Sequence, residues 1–227
     1  MNLYRLLYDS PSGVKDQPDK PEPTGWKRLP CIFFRNIWNL IGLNILFWAF
    51  CLPVVTIPSA LKAMTRVCVN MLEGEPIDLF RDFWKAFREG FFRTTAAGFV
   101  VALLLCVVGA ALWLCAGAMA GNGLFAAPAV LLLLAAMVIV MSVFSLFPLL
   151  EFSELTIRQC LRNAVLLTLV GMKRHLAVLL LLAALVVGYL ACYPYSTVFL
   201  ASILLSAFWL CSCFAVWPVI KRYVFEK

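Results

Sequence analysis

Charge is what this chain has least of. Only 14% of its 227 residues are Asp, Glu, Lys or Arg, where an ordinary soluble domain carries about 25%, so a water-facing globule is excluded. Histidine occurs once, as His175, and there is no HExxH or paired CxxC. Zinc and haem are therefore left without a donor set, and His175, following Lys173 and Arg174, reads as part of a basic flank at the foot of a helix. Nine cysteines, at 31, 51, 68, 106, 115, 160, 192, 211 and 213, fall mostly inside apolar runs with no framework spacing. They read as reduced thiols acting as small apolar side chains, and Cys211 and Cys213, two apart, leave one helix in different directions. Paired carboxylates at a cleft, a nucleophile beside a base and a glycine-rich phosphate loop are also missing. These gaps predict a protein that is not an enzyme and has no catalytic residue, metal or cofactor. The opening MNLYRLLY is too short for a signal-peptide core, and no small-residue cleavage site follows it.

What the chain has instead is apolar length. Hydrophobic residues make up 63% of it and the mean hydropathy is +0.93, which predicts an all-α, polytopic membrane bundle. Six hydrophobic segments are expected, at about 36–54, 58–73, 94–120, 125–150, 175–192 and 196–217. Most approach or exceed the roughly 17 to 25 residues of a spanning helix, the second being short and amphipathic. Interfacial helices are expected at about 78–92 and 154–165. The membrane domain, 29–227, follows a Pro-rich arm, 1–28, in which Trp26, Lys27 and Arg28 read as an interfacial anchor.

The net charge of +7 does not imply nucleic acid, because the basic residues flank apolar runs instead of clustering on a soluble module. The expected partner is the lipid bilayer. Lys and Arg fall in four blocks: before residue 36, from Lys62 to Arg93, from Arg158 to Arg174, and from Lys221 on. The turns GNGL, at 121–124, and CYPYS, at 192–196, carry none. Positive-inside bias then puts the 81–93 block, the 151–175 segment and both termini in the cytoplasm. One crossing at 36–57 would strand the arm's basic residues outside, so parity asks for a return. Either Pro53 to Pro58 is an outer turn and 58–73 crosses back, or the chain crosses once and 58–73 lies on the surface. A return helix of about 24 Å is slightly short for a core of roughly 30 Å.

The run from Leu52 to Phe92 holds most of the unusual chemistry. Ser59, Lys62, Arg66, Asn70 and Glu73 step by three or four and so make one polar stripe among Leu61, Met64, Val67, Cys68, Met71 and Leu72. A charge at membrane depth costs about 2.5–3.5 kcal/mol on insertion scales, which makes Lys62, Arg66, Asn70 and Glu73, with Asn44 level with Asn70, a candidate binding seam. The blander alternatives are that Lys62 snorkels outward, that Arg66 pairs locally with Asn70, or that the whole helix lies at the surface. Glu151 and Glu154 are either neutralising partners for the 58–93 block or solvated interface carboxylates.

After Gly74-Glu75-Pro76 the pattern inverts. Phe80, Phe83, Trp84, Phe87 and Phe91 form an aromatic stripe that reads as a float on the bilayer surface. The charged side, Asp78, Asp82, Lys85 and Glu89, is left for a partner. In the second interfacial segment Ser153 is the expected N-cap after Pro148 ends or kinks its helix, with Ile157, Leu161, Ala164 and Val165 forming an apolar stripe. Gly117 and Gly121 fit a small-xxx-small pattern, yet suit the adjoining turn equally well.

Several of these stretches together resemble the YesL-like family of bacterial integral membrane proteins. The resemblance rests on the Asn-rich first helix ending in Leu52-Pro53-Val54-Val55-Thr56-Ile57, then Pro58-Ser59-Ala60, the Gly74-Glu75 break and Asp82-Phe83-Trp84-Lys85-Ala86-Phe87. It continues in Pro148-Leu149-Leu150 and Arg162-Asn163-Ala164, and runs from about Arg35 on. Where members often have a glycine after Thr-Ile, this chain has Pro58. The resemblance implies a bacterial cytoplasmic membrane protein of no established biochemical function, often encoded beside sugar-uptake genes. The expected role is accessory or regulatory, with a sugar transport complex as partner. The alternative is a small transporter or permease subunit whose path is lined by Asn39, Asn44, Lys62, Arg66 and Asn70.

Overall fold

Proline and glycine mark several of the helix ends, at Pro58, Gly74, Gly90 and Gly171, while others lie inside helices. The computed structural model describes residues 28–119, 125–191 and 204–225. The arm up to residue 27, the two uncharged turns and the start of the last hydrophobic segment lie outside the described residues. Among the described residues every regular element is helical and none is a strand. In chain order these are α1 (Arg28–Arg35), α2 (Ile37–Phe50), a 3-10 turn (Val54–Thr56), α3 (Ile57–Glu73), α4 (Leu79–Arg88), α5 (Phe91–Met119), α6 (Ala126–Phe152), α7 (Ile157–Val170), α8 (Met172–Ala191) and α9 (Leu205–Ile220). A π-helical turn, Lys221–Phe225, follows.

The first hydrophobic segment is not one rod. It starts earlier, at Arg28, and bends by 72° between α1 and α2. At the bend the Asn36 side chain donates to the Ile32 carbonyl (3.1 Å) and accepts from Asn39 Nδ2 (3.4 Å). The Ile32 carbonyl also accepts the Asn36 N–H (3.1 Å), so the side-chain amide adds a second local bond at the bend. In α3, Pro58 occupies the first turn, where its missing N–H costs nothing. Gly74 closes the helix in the left-handed region (φ 77°), and the N–H groups of Gly74 and Glu75 return to the Asn70 carbonyl. Gly90 (φ 61°) separates α4 from α5, so the interfacial helix expected at 78–92 ends at Arg88.

Two further boundaries differ from expectation. Pro148 neither ends nor interrupts α6, which runs on to Phe152. The N-cap of α7 is Thr156, not Ser153, with Gln159 reaching back to the Thr156 N–H (3.0 Å) in a capping box. This helix extends to Val170 and then turns by 92° into α8 at Gly171.

α3 is the hub, packed against α2, α4, α5, α6 and α9, with Ala60, Ala63, Met64, Val67 and Cys68 wholly buried. α9 runs beside it in the same direction: Trp209 Nε1 donates to Thr65 Oγ1 (2.9 Å) and Trp217 Nε1 to Glu73 Oε1 (3.1 Å). Phe144 and Phe147 of α6 pack on Trp209, and Phe152 on Trp217. The turn before α3 does not reach the far end of α5. Pro58 abuts Gly98, and Val54 shares an apolar cavity with Gly98 and Leu105, all in the first half of α5.

α5 and α6 are long and apolar enough to cross a membrane, and up to four spans result if each bent pair, α1 with α2 and α7 with α8, counts as one. α3, with its charges, does not pass that test. Only 6% of the apolar window in α5 is buried among the described residues, so beyond its contacts with α3 and α6 its surface is left for lipid.

Candidate functional site

The polar stripe of α3 closes on itself through a residue far away in sequence. Lys62, only 2% exposed, sits on the face of α3 turned toward the α4–α5 joint. Its Nζ donates to the Glu89 backbone carbonyl and pairs with Glu151 Oε2 at 3.3 Å. One turn on, Arg66 Nη1 pairs with Glu151 Oε1 at 2.6 Å and with Glu89 Oε2 at 3.5 Å. The Glu151 carboxylate, its side chain 2% exposed, is thus shared by two cations, one per oxygen. Two positive and two negative side chains cancel, which is the condition for holding ions out of water without a large penalty.

Neighbouring groups extend the cluster. Ser59 Oγ lies 3.2 Å from Thr95 Oγ1 and donates to the Phe91 carbonyl (3.4 Å). These bonds pin the start of α5 to the start of α3. Arg93 Nη2 donates to the carbonyls of Ser153 (3.1 Å) and Leu155, beyond the end of α6. Cations at a helix C-terminus meet the negative end of the helix dipole. Between these groups lies a polar cavity of about 510 Å³ lined by Lys62, Glu89, Gly90, Arg93, Glu151 and Glu154.

The seam expected from sequence is only partly assembled. Lys62 and Arg66 join the cluster, but their partners are carboxylates, so neither the snorkelling lysine nor the local Arg66–Asn70 pair is found. Glu73 is one end of a separate pair with Lys221 (3.2 Å). Asn70 gives its backbone carbonyl to the α3 cap, and Asn44 is fully buried on α2. Of the charged side of α4, Asp78 and Lys85 are exposed, Asp82 accepts the Asp78 N–H (3.2 Å) and Glu89 belongs to Arg66. Glu154 stands exposed at the cavity rim, so of the two candidate neutralising carboxylates Glu151 does the work.

Two expectations change here. Only part of the aromatic stripe of α4 is free for a surface: Phe83 and Phe87 are buried against the protein, both packed on Phe50 of α2, while Phe80 and Trp84 stay exposed. His175 is not part of an exposed flank but wholly buried, with Nε2 2.6 Å from Ser145 Oγ and Nδ1 3.1 Å from the Gly171 carbonyl. Sequence held a faint signal for it, a lone imidazole four residues after a glycine between apolar runs. Among the described residues no three His, Cys, Asp or Glu side chains converge as metal ligands, and the described cysteines are free.

Long apolar helices, one with most of its apolar window unburied, and a self-neutralised ion cluster where they meet a short helical layer are the features of a helical membrane protein. Residues 40–112 are similar to a protein family described as a protein of unknown function, DUF624. That stretch takes in Lys62, Arg66, Glu89 and Arg93 and stops short of Glu151. No curated protein and no solved structure matches the chain.

Proposed function

We propose that this is a non-enzymatic accessory or regulatory protein of the bacterial cytoplasmic membrane, of the YesL-like kind, acting with a carbohydrate uptake system. The observation that carries the accessory reading is the closed cluster. The two cations of α3 are consumed by Glu151 and Glu89, and Glu73 at its end by Lys221, which leaves α3 no unpaired charge to line the open polar route a solitary carrier needs through the bilayer. The resemblance described above supports the link to sugar uptake. The acidic edge of α4, with Asp78 and Asp82, and α7 are the surfaces offered to a permease, on the cytoplasmic side.

Topology belongs to the same proposal. With Pro58 against Gly98, about 10 Å along α5 from its start at 1.5 Å per residue, α2 and α3 form a hairpin that dips partway into the bilayer and returns. Such a hairpin keeps the basic arm and α4 on one side without a full crossing, so positive-inside parity is met. Deletion of the protein is expected to lower uptake of a carbohydrate by the partner permease, and mild solubilisation to co-purify the two. Unchanged uptake with no permease recovered would dismiss the accessory role. The transporter alternative draws on the polar cavity beside Lys62 and Glu151. It requires that purified protein in vesicles move a solute by itself, with the rate lost in Lys62→Met.

A further inference from the structure

The burial of Phe83 and Phe87 changes what the outer surface of α4 is. Counted at about 100° per residue, the helix divides into consecutive sectors. One sector, with Leu79, Phe83, Ala86 and Phe87, is turned to the protein. Next comes an exposed aromatic sector, Phe80 (63% exposed) and Trp84 (39%). Arg88, Arg81 and Lys85 follow within the next 100° or so, all exposed. The acidic residues Asp78, Glu89 and Asp82 are gathered beyond them, and Glu89 is turned to Arg66.

Basic side chains therefore border aromatic ones, and acidic ones are kept away. The Arg88 guanidinium lies over the Trp84 ring, 5.8 Å from its centroid. The helix also ends beside Phe91, the first residue of the α5 span, and Phe92 next to it is 86% exposed. A helix whose aromatic edge continues into a span and whose neighbouring edge is cationic matches the layering of a bilayer surface. Rings sit at the acyl boundary, cations at the level of the phosphates and carboxylates further out.

We propose that this outer face of α4 binds anionic phospholipid headgroups, with Arg81, Lys85 and Arg88 taking the phosphates and Phe80 and Trp84 as anchors. Guanidinium groups suit a phosphodiester because their donors match two oxygens at once. The site goes beyond the accessory reading and stands whether or not a permease is the partner.

The test uses the full chain in nanodiscs of mixed phosphatidylglycerol and phosphatidylcholine, with bromine on the acyl chains of one lipid or the other. The Trp84 signal is the difference in quenching between the native chain and Trp84→Phe. Brominated phosphatidylglycerol is expected to quench that component at least about threefold more than its share of the bilayer predicts. Arg81→Gln/Lys85→Gln/Arg88→Gln should bring it back to that share, while Arg158→Gln/Arg162→Gln on α7 should leave the preference intact. Equal quenching by the two lipids in the native chain overturns the proposal. So does quenching by neither, which would put this face against water or protein. Equal loss in the α7 variant overturns it too, since the preference would then follow net charge alone. The native-chain ratio decides the matter even if the triple variant fails to fold.

Discussion

Glu151 is the residue on which the ion cluster turns, because its buried carboxylate pairs with both cations. Removing one partner from a buried pair leaves an uncompensated charge, which costs about 3–5 kcal/mol. Glu151→Ala is thus expected to destabilise the protein by that amount, seen as a lowered thermal unfolding midpoint in detergent. Glu89, whose side chain is 63% exposed, is expected to differ sharply: its truncation should cost under about 1 kcal/mol, because solvent screens such pairs. Similar losses in the two variants would show that burial does not set the strength of the cluster. His175→Ala, which orphans the Ser145 hydroxyl in a closed environment, is expected to cost about 1–3 kcal/mol. Its readout is the same melting curve. The cations at 62 and 66 were legible in the sequence because helical spacing is local. Glu151 lies 85 residues from Arg66, and no periodicity reports which distant helix a side chain will meet.

At the level of elements, the joint between α3 and α5 depends on a glycine for its close approach. A methyl group on Gly98 would stand 2.5 Å from Pro58 Cβ, and neither a proline ring nor a helix backbone yields easily. Gly98→Leu is expected to separate the helices at a cost of about 1–3 kcal/mol or more, as overpacking does. A disulfide cross-link between cysteines placed at Leu61 and Ala102, both lining the cavity beside this contact, should then form more slowly. A rate equal to the parent's would show that the contact is not tight. The ends of α3 and the two long spans α5 and α6 were readable, since Pro58, Gly74 and the long apolar runs are local signals, whereas the cap of α7 at Thr156 was not. The aromatic stripe of α4 was readable too, but a stripe gives a face and not what covers it: Phe83 met Phe50 where lipid was expected. The breaks at Asn36 and Gly171 sit inside apolar runs and depend on side-chain bonds, Asn36 to Ile32 and His175 to Gly171, that spacing alone does not reveal.

On the scale of the molecule, α5 and α6 reach well beyond the short layer of α2, α3 and α4, which packs near the start of the one and the end of the other. The proposed partway hairpin makes a direct prediction. In a cysteine-free background, a membrane-impermeant thiol reagent added outside intact cells should label position 122 and leave position 58 unlabelled. Labelling of 58 from outside would mean that the turn before α3 reaches the far surface, restoring a full crossing by that helix.

The sharing of one carboxylate by two cations also sets an order in which this site can change over generations. A lineage that loses Lys62 or Arg66 first keeps the other cation paired with Glu151. A lineage that loses Glu151 first leaves two like charges side by side with only the exposed Glu89 to offset them, the costlier of the two losses. Descendants with one cation missing should therefore outnumber those lacking the acid, and the acid should be the last of the three to disappear.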